Sequence, residues 1–123
     1  MIHMQGGGEC ATATRCLKEA KTHLGSSTQF PKAHNFTSLL LDARKDVNPD
    51  FFDWNLVYLP YCSQDLYSGG RTNKSDETFG LYFSGKHIMD ATLDALDAHN
   101  LTAAANIVVT GDSAGGQGTY LNL

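Results

Sequence analysis

The chain has 123 residues, 41% of them hydrophobic, with a formal net charge of -4. That composition suits one globular core. With no basic stripe or Lys/Arg cluster it gives no support to nucleic-acid binding, and no apolar run approaches the ~20 residues that span a bilayer.

Met1-Ile2-His3-Met4-Gln5 has neither the basic start nor the apolar stretch of a signal peptide. Residues 1–4 read instead as the tail of a strand. Gly6-Gly7-Gly8 follows as a loop. A helix is predicted from Ala13 to Leu24, ended by Gly25, with Leu17, Ala20, Lys21 and Leu24 on one face. Residues 25–37 are a polar connection, Phe36 to Leu41 a short element, and Asn48-Pro49-Asp50 a turn. The nearly continuous apolar run Asn55 to Tyr61 predicts a buried strand, followed by a polar loop over 63–78. A second helix is predicted from Ser84 to His99. Its core face carries Ile88, Met89, Thr92, Leu93, Ala95 and Leu96, and Asp90, Asp94 and Asp97 face water. The last strand is Ile107–Thr110. Strands alternating with helices imply an α/β fold with a largely parallel sheet and right-handed crossovers.

The chemistry concentrates where that last strand ends. Gly111-Asp112-Ser113-Ala114-Gly115 is a Gly-x-Ser-x-Gly run placed directly after β-branched residues. Such a run makes a nucleophile elbow: strand, sharp turn, helix, with the serine hydroxyl exposed on a strained backbone. Gly111 and Gly115 are required because a Cβ at either would collide with the neighbouring strand or helix. Ser113 is therefore the candidate nucleophile. The backbone N–H of Ala114 is one candidate oxyanion donor, and Gly6-Gly7-Gly8, coming after an earlier strand, fits as the source of the second. Two other readings compete: a plain glycine-rich turn, and the Gly-Asp-Ser-Gly-Gly run of trypsin-like proteases. The second requires glycine where Ala114 stands, and an all-β chain.

Three cysteines are present. Cys10 and Cys16 are close enough to close a small loop, worth ~2–3 kcal/mol if bonded. Cys62 is left over, its partner either absent from this sequence or nonexistent. There is no Cys-x-x-Cys and no His pair at ligand spacing, so no metal site is expected. Asn35-Phe36-Thr37, Asn73-Lys74-Ser75 and Asn100-Leu101-Thr102 all fit the N-glycosylation sequon. With the cysteines they favour a secreted, oxidised, glycosylated parent protein.

Three islands together carry a resemblance. Gln5-Gly6-Gly7-Gly8-Glu9-Cys10 with Cys16, then Trp54-Asn55 leading to Pro60-Tyr61-Cys62-Ser63-Gln64-Asp65-Leu66-Tyr67-Ser68-Gly69, then Gly111 to Gly116, resemble the pectin acetylesterase/Notum family of carboxylesterases. The match spans nearly the whole chain, and the Pro-Tyr-Cys-Ser block is more like the Notum branch. The resemblance implies an α/β-hydrolase fold and a secreted enzyme that removes O-acyl groups without metal or organic cofactor. It places Ser113 at the nucleophile, Gly7, Gly8 and Ala114 in the oxyanion-hole region, and Cys10 with Cys16 in a short-loop disulfide. Asp65 and Ser68 read as loop-structuring residues. Glu9 stands where the family usually has an aromatic residue bordering the site, which leaves the acyl preference open.

An α/β-hydrolase sheet has about eight strands and places its triad acid and base after the serine. All five histidines (His3, His23, His34, His87, His99) precede Ser113. The expectation is thus that residues 1–123 are the N-terminal to central part of such a domain, catalytically incomplete alone. The rival is a truncated hydrolase-like protein that binds without catalysing.

Overall fold

The computed structural model describes residues 1–37 and 39–122. Its centre is a parallel three-stranded sheet in the order β2-β1-β3, formed by β1 (Ile2–Met4), β2 (Val57–Leu59) and β3 (Val109–Gly111). His3 sits opposite Tyr58 on one side and Thr110 on the other. Because side chains alternate along a strand, this register puts His3, Tyr58 and Thr110 on one face. Ile2 and Met4 point to the other and are almost fully buried.

Among the described residues three α-helices flank the sheet: α1 (Ala13–Glu19), α2 (Gly85–Asp97) and α3 (Ala114–Asn122). The core joins Met4, Leu59, Tyr61, Tyr67, Met89 and Ala114, with Leu24, Leu66, Ile88, Leu93 and Val109 against them. Helix α2 follows the predicted stripe except that Ala95 lies exposed. Both outer strands are shorter than their apolar runs, and Ile107 is 48% exposed. Of the short element predicted over 36–41, Leu39–Leu41 form a 3-10 turn, and Ser38 lies outside the described residues.

Helix α1 departs most from its periodicity. Thr12 caps it, accepting from the Arg15 N–H. It ends five residues before Leu24 because the Thr22 hydroxyl donates to the Glu19 carbonyl and accepts from the Leu24 N–H. A side chain that offers the backbone such alternative partners competes with the helical ladder. The buried face is also rotated. The Cys10–Cys16 disulfide draws Cys16 inward, leaving Leu17 45% exposed and Lys21 in solvent.

The loop after β2 is held by side-chain groups in place of a ladder. Gln64, Leu66 and Tyr67 all have positive φ, a costly conformation for residues with a Cβ. Asp65 secures it. Its carboxylate accepts from the Ser63 hydroxyl at 2.6 Å, the Tyr67 N–H at 3.1 Å and the Gly85 N–H at 2.8 Å. The last bond places a negative charge at the start of α2, where the helix dipole favours it and Ser84 offers no side-chain cap. Ser68 donates back to the Asp65 carbonyl. Tyr61 and Tyr67 stack with centroids 4.6 Å apart. The Tyr67 hydroxyl donates toward the Gln5 and Leu59 carbonyls, and Tyr61 accepts from the Leu66 N–H. Burial pushes the Tyr61 phenol up to about 12 and raises Tyr67 as well, so both remain neutral hydrogen-bonding groups.

Helix α3 approaches the sheet backbone to backbone. A Cβ on Gly115 would stand 2.0 Å from the Met4 carbonyl oxygen, and one on Gly111 would stand 2.3 Å from the Gly115 carbonyl carbon. Gly115→Ala is therefore expected to cost several kcal/mol, beyond the range of ordinary single substitutions. Gly70→Ala, where nothing among the described residues lies within 4 Å, should stay within about 0.5 kcal/mol. Thermal unfolding of the two variants measures this difference. Tyr67→Phe, which removes the bridging hydroxyl, should lower stability by about 1–2 kcal/mol in urea denaturation.

Candidate active site at the strand-to-helix turn

β1 and β3 run parallel and side by side, so the residues after Met4 lie next to those after Gly111. The topology thus brings the glycine loop and the Gly-x-Ser-x-Gly turn together at the carboxyl end of the sheet. The contact is close: a Cβ on Gly6 would lie 3.0 Å from Ser113 Cβ and 2.5 Å from Asp112 Oδ2.

Ser113 joins β3 to α3 with φ +49, the left-handed region that side chains with a Cβ seldom occupy. Its side chain is exposed. The turn closes because the Asp112 carbonyl accepts from the Gly115 N–H at 2.8 Å and the Gly116 N–H at 3.3 Å. The serine borders an open depression of about 580 Å³ walled by Leu66, Tyr120 and Leu121, with Gly116 and Gln117 completing it. Tyr120 is 85% exposed and Leu121 53%, so this wall is apolar and uncovered in this chain.

The three candidate donors occupy different settings. Ala114 is buried and is the first residue of α3, so its N–H has no acceptor within the helix. Gly7 and Gly8 have φ of +154 and +74, and among the described residues their N–H groups make no hydrogen bond. Gly7 lies against Leu24 and Tyr61, and its carbonyl accepts from Gln64 Nε2 at 3.1 Å. Gly8 lies beside Arg15. The Cys10 N–H donates to the Gln64 carbonyl, so the strained loop after β2 supports the glycine loop from below. Of the glycine loop, Gly6 is the residue in close contact with Ser113, and Gly7 and Gly8 follow it in sequence. Amide donors set near an attacking hydroxyl can hold the oxyanion that forms on the carbonyl oxygen when the hydroxyl attacks the carbonyl carbon.

Two residues absent from the sequence-based site also reach it. Asp112 Oδ1 accepts from the Gly6 N–H at 3.1 Å and lies 3.3 Å from His3 Nε2. His3 Nδ1 lies 2.8 Å from Thr110 Oγ1. Only the strand register could reveal this, because His3 and Asp112 are 109 residues apart. Among the described residues the Ser113 hydroxyl has no hydrogen-bonded partner, and His3 is engaged with Thr110 and Asp112.

The remaining candidates are scattered. Cys10 and Cys16 form the disulfide, with Cα atoms 5.1 Å apart. Cys62 carries no disulfide, and burial, with Asp65 adding to it, pushes its thiol up. Asn35, Asn73 and Asn100 are all exposed, Asn100 in a left-handed turn. Glu9 is exposed beside the glycine loop. No helix of the described residues is long and apolar enough to cross a membrane.

The chain is similar to known proteins over all or nearly all of its length. The pectinacetylesterase family model matches residues 1–123. The palmitoleoyl-protein carboxylesterase NOTUM of Schmidtea mediterranea is 34% identical over all of this chain, which covers 23% of that protein. Pectin acetylesterase 5 of Arabidopsis thaliana is 34% identical over 99% of the chain, covering 28% of its own length. A solved structure of the Wnt deacylase Notum from Drosophila superposes with a TM-score of 0.88 at 30% identity, over 98% of this chain and 36% of that one. The chain thus spans roughly a quarter to a third of these relatives, and its sheet is part of their α/β-hydrolase fold. Because the family model matches residues 1–123, the chain belongs to the pectinacetylesterase family.

Proposed function

We propose that this chain is the nucleophile-bearing part of a serine carboxylesterase that removes O-acyl groups. The observation that carries the reading is the exposed Ser113 at φ +49, held between β3 and α3 where Gly111 and Gly115 admit no Cβ. Ser113 attacks the ester carbonyl carbon and its proton passes to a base. The carbonyl oxygen becomes an oxyanion held by N–H groups of Gly7, Gly8 and Ala114. The alcohol leaves with a proton, and water then releases the acid from the acyl-serine. The base and its orienting acid are a histidine and an aspartate supplied by sequence beyond this chain, so residues 1–123 form the N-terminal to central part of the domain.

The relatives carry two substrate classes in their names, a pectin acetyl ester and a palmitoleoyl ester on protein. The apolar wall of Leu66, Tyr120 and Leu121 suits an acyl chain. Secretion agrees with the disulfide and with the exposure of all three sequons.

In the full-length protein, Ser113→Ala should reduce turnover of 4-nitrophenyl acetate and octanoate by at least about 10⁴-fold. Turnover unchanged in that variant would refute the nucleophile, and a full-length protein inactive from the outset would favour the non-catalytic binding protein. Expressed through a secretory pathway, the protein should lose mass on N-glycosidase treatment. Asn→Gln at Asn35, Asn73 and Asn100 should each remove one step of that loss in a gel-shift series.

A further inference from the structure

The ester chemistry leaves Asp112 without a role. A carboxylate next to the attacking serine places negative charge near a site meant to receive an anion, which by Coulomb's law is unfavourable. At 65% side-chain exposure solvent screens much of that cost, but screening does not explain the residue.

Its contacts do. Asp112 Oδ1 accepts from the Gly6 N–H and faces His3 Nε2. With the Thr110 hydroxyl donating to Nδ1, Nε2 carries the proton and donates to Asp112, so both ring nitrogens are satisfied. The His3 side chain is only 13% exposed and stacks with Tyr58 at 6.0 Å, so the ring has little freedom. One carboxylate therefore ties three segments: β1 through His3, the glycine loop through Gly6, and the turn to which it belongs. The Gln64 bond to the Gly7 carbonyl holds the loop from the opposite side. The Gly7 N–H lies between these two fastenings and the Gly8 N–H directly follows the second, and neither has a partner among the described residues.

We propose that Asp112, oriented by His3, is a positioning residue that holds the amides of Gly7 and Gly8 in register with the Ser113 hydroxyl. The inference rests on the esterase reading and adds a residue to it. The role is geometric. Oxyanion donors act only when pre-set near 3 Å from the developing charge, and small misplacements are costly.

The test is steady-state kinetics of the full-length protein on 4-nitrophenyl acetate, with Asp112→Ala, Asp112→Asn, His3→Ala and Ser113→Ala in parallel. Asp112→Ala should lower kcat by about 10- to 100-fold, a fraction of the ~10²–10³ that accompanies loss of a whole donor. KM should stay within about threefold, because the donors meet the transition state more than the ground state. Asp112→Asn keeps an acceptor for Gly6 and should recover most of kcat, and His3→Ala should fall between. Amide hydrogen exchange at Gly6–Gly8 should speed up in Asp112→Ala while Tm moves little. Wild-type kcat in Asp112→Ala beside an inactive Ser113→Ala overturns the clamp alone. An Asp112→Ala loss that Asn does not recover, with Tm falling in step, also overturns it in favour of a folding role. Full turnover in Ser113→Ala overturns the esterase reading, and the clamp with it.

Discussion

The whole arrangement depends on how closely α3 approaches β1. The Met4 carbonyl lies where a Cβ on Gly115 would be, and Gly111 and Gly115 meet backbone to backbone. Such contact leaves the chain emerging from β3 no room for a gradual bend. It must reverse within Asp112 and Ser113, and Ser113 takes the left-handed conformation to do so. The exposure of the serine is thus a consequence of packing in the core beneath it: Ala114, its neighbour, is part of the buried cluster that includes Met4, Leu59 and Met89.

A second constraint lies below the site. The loop after β2 contains three non-glycine residues with positive φ, and Asp65 holds them with bonds to Ser63, Tyr67 and Gly85. The same carboxylate starts α2, so loop and helix are one unit. Through Gln64 the unit grips the Gly7 carbonyl, and through Tyr67 it grips Gln5 at the end of β1. Strain in this loop is thereby used to fix the glycine segment that faces the serine. A flexible glycine triplet becomes a defined surface because its neighbours, not its own residues, are rigid.

The two sides of the site differ in chemistry. One is polar and built from backbone amides, Asp112 and His3. The other is the apolar wall of Leu66, Tyr120 and Leu121. An acyl ester has the same division, a polar carbonyl beside an apolar chain. Relatives named for acetyl and for palmitoleoyl esters match this chain over 99–100% of its length.

The elbow, the glycine loop, the alternation of strand and helix, and the pairing of Cys10 with Cys16 were all legible in the sequence. The first three rest on local rules, β-branched residues before a tight turn and glycine where a Cβ cannot fit; the cysteine pairing came from the family resemblance, their short separation only allowing it. Asp65 and Ser68 were legible as loop-structuring residues, though their partners were not. The end of α1 was not legible because Thr22 competes for backbone partners that periodicity ignores, nor was its buried face, because the disulfide rotates Cys16 inward. Ala95 lies off the core because a helical stripe does not say how wide the covering surface is. The link from His3 through Asp112 to Gly6 could come only from tertiary structure. It depends on β1 lying between β2 and β3 in a particular register, and hydrogen bonds between residues more than a hundred positions apart arise from that pairing alone.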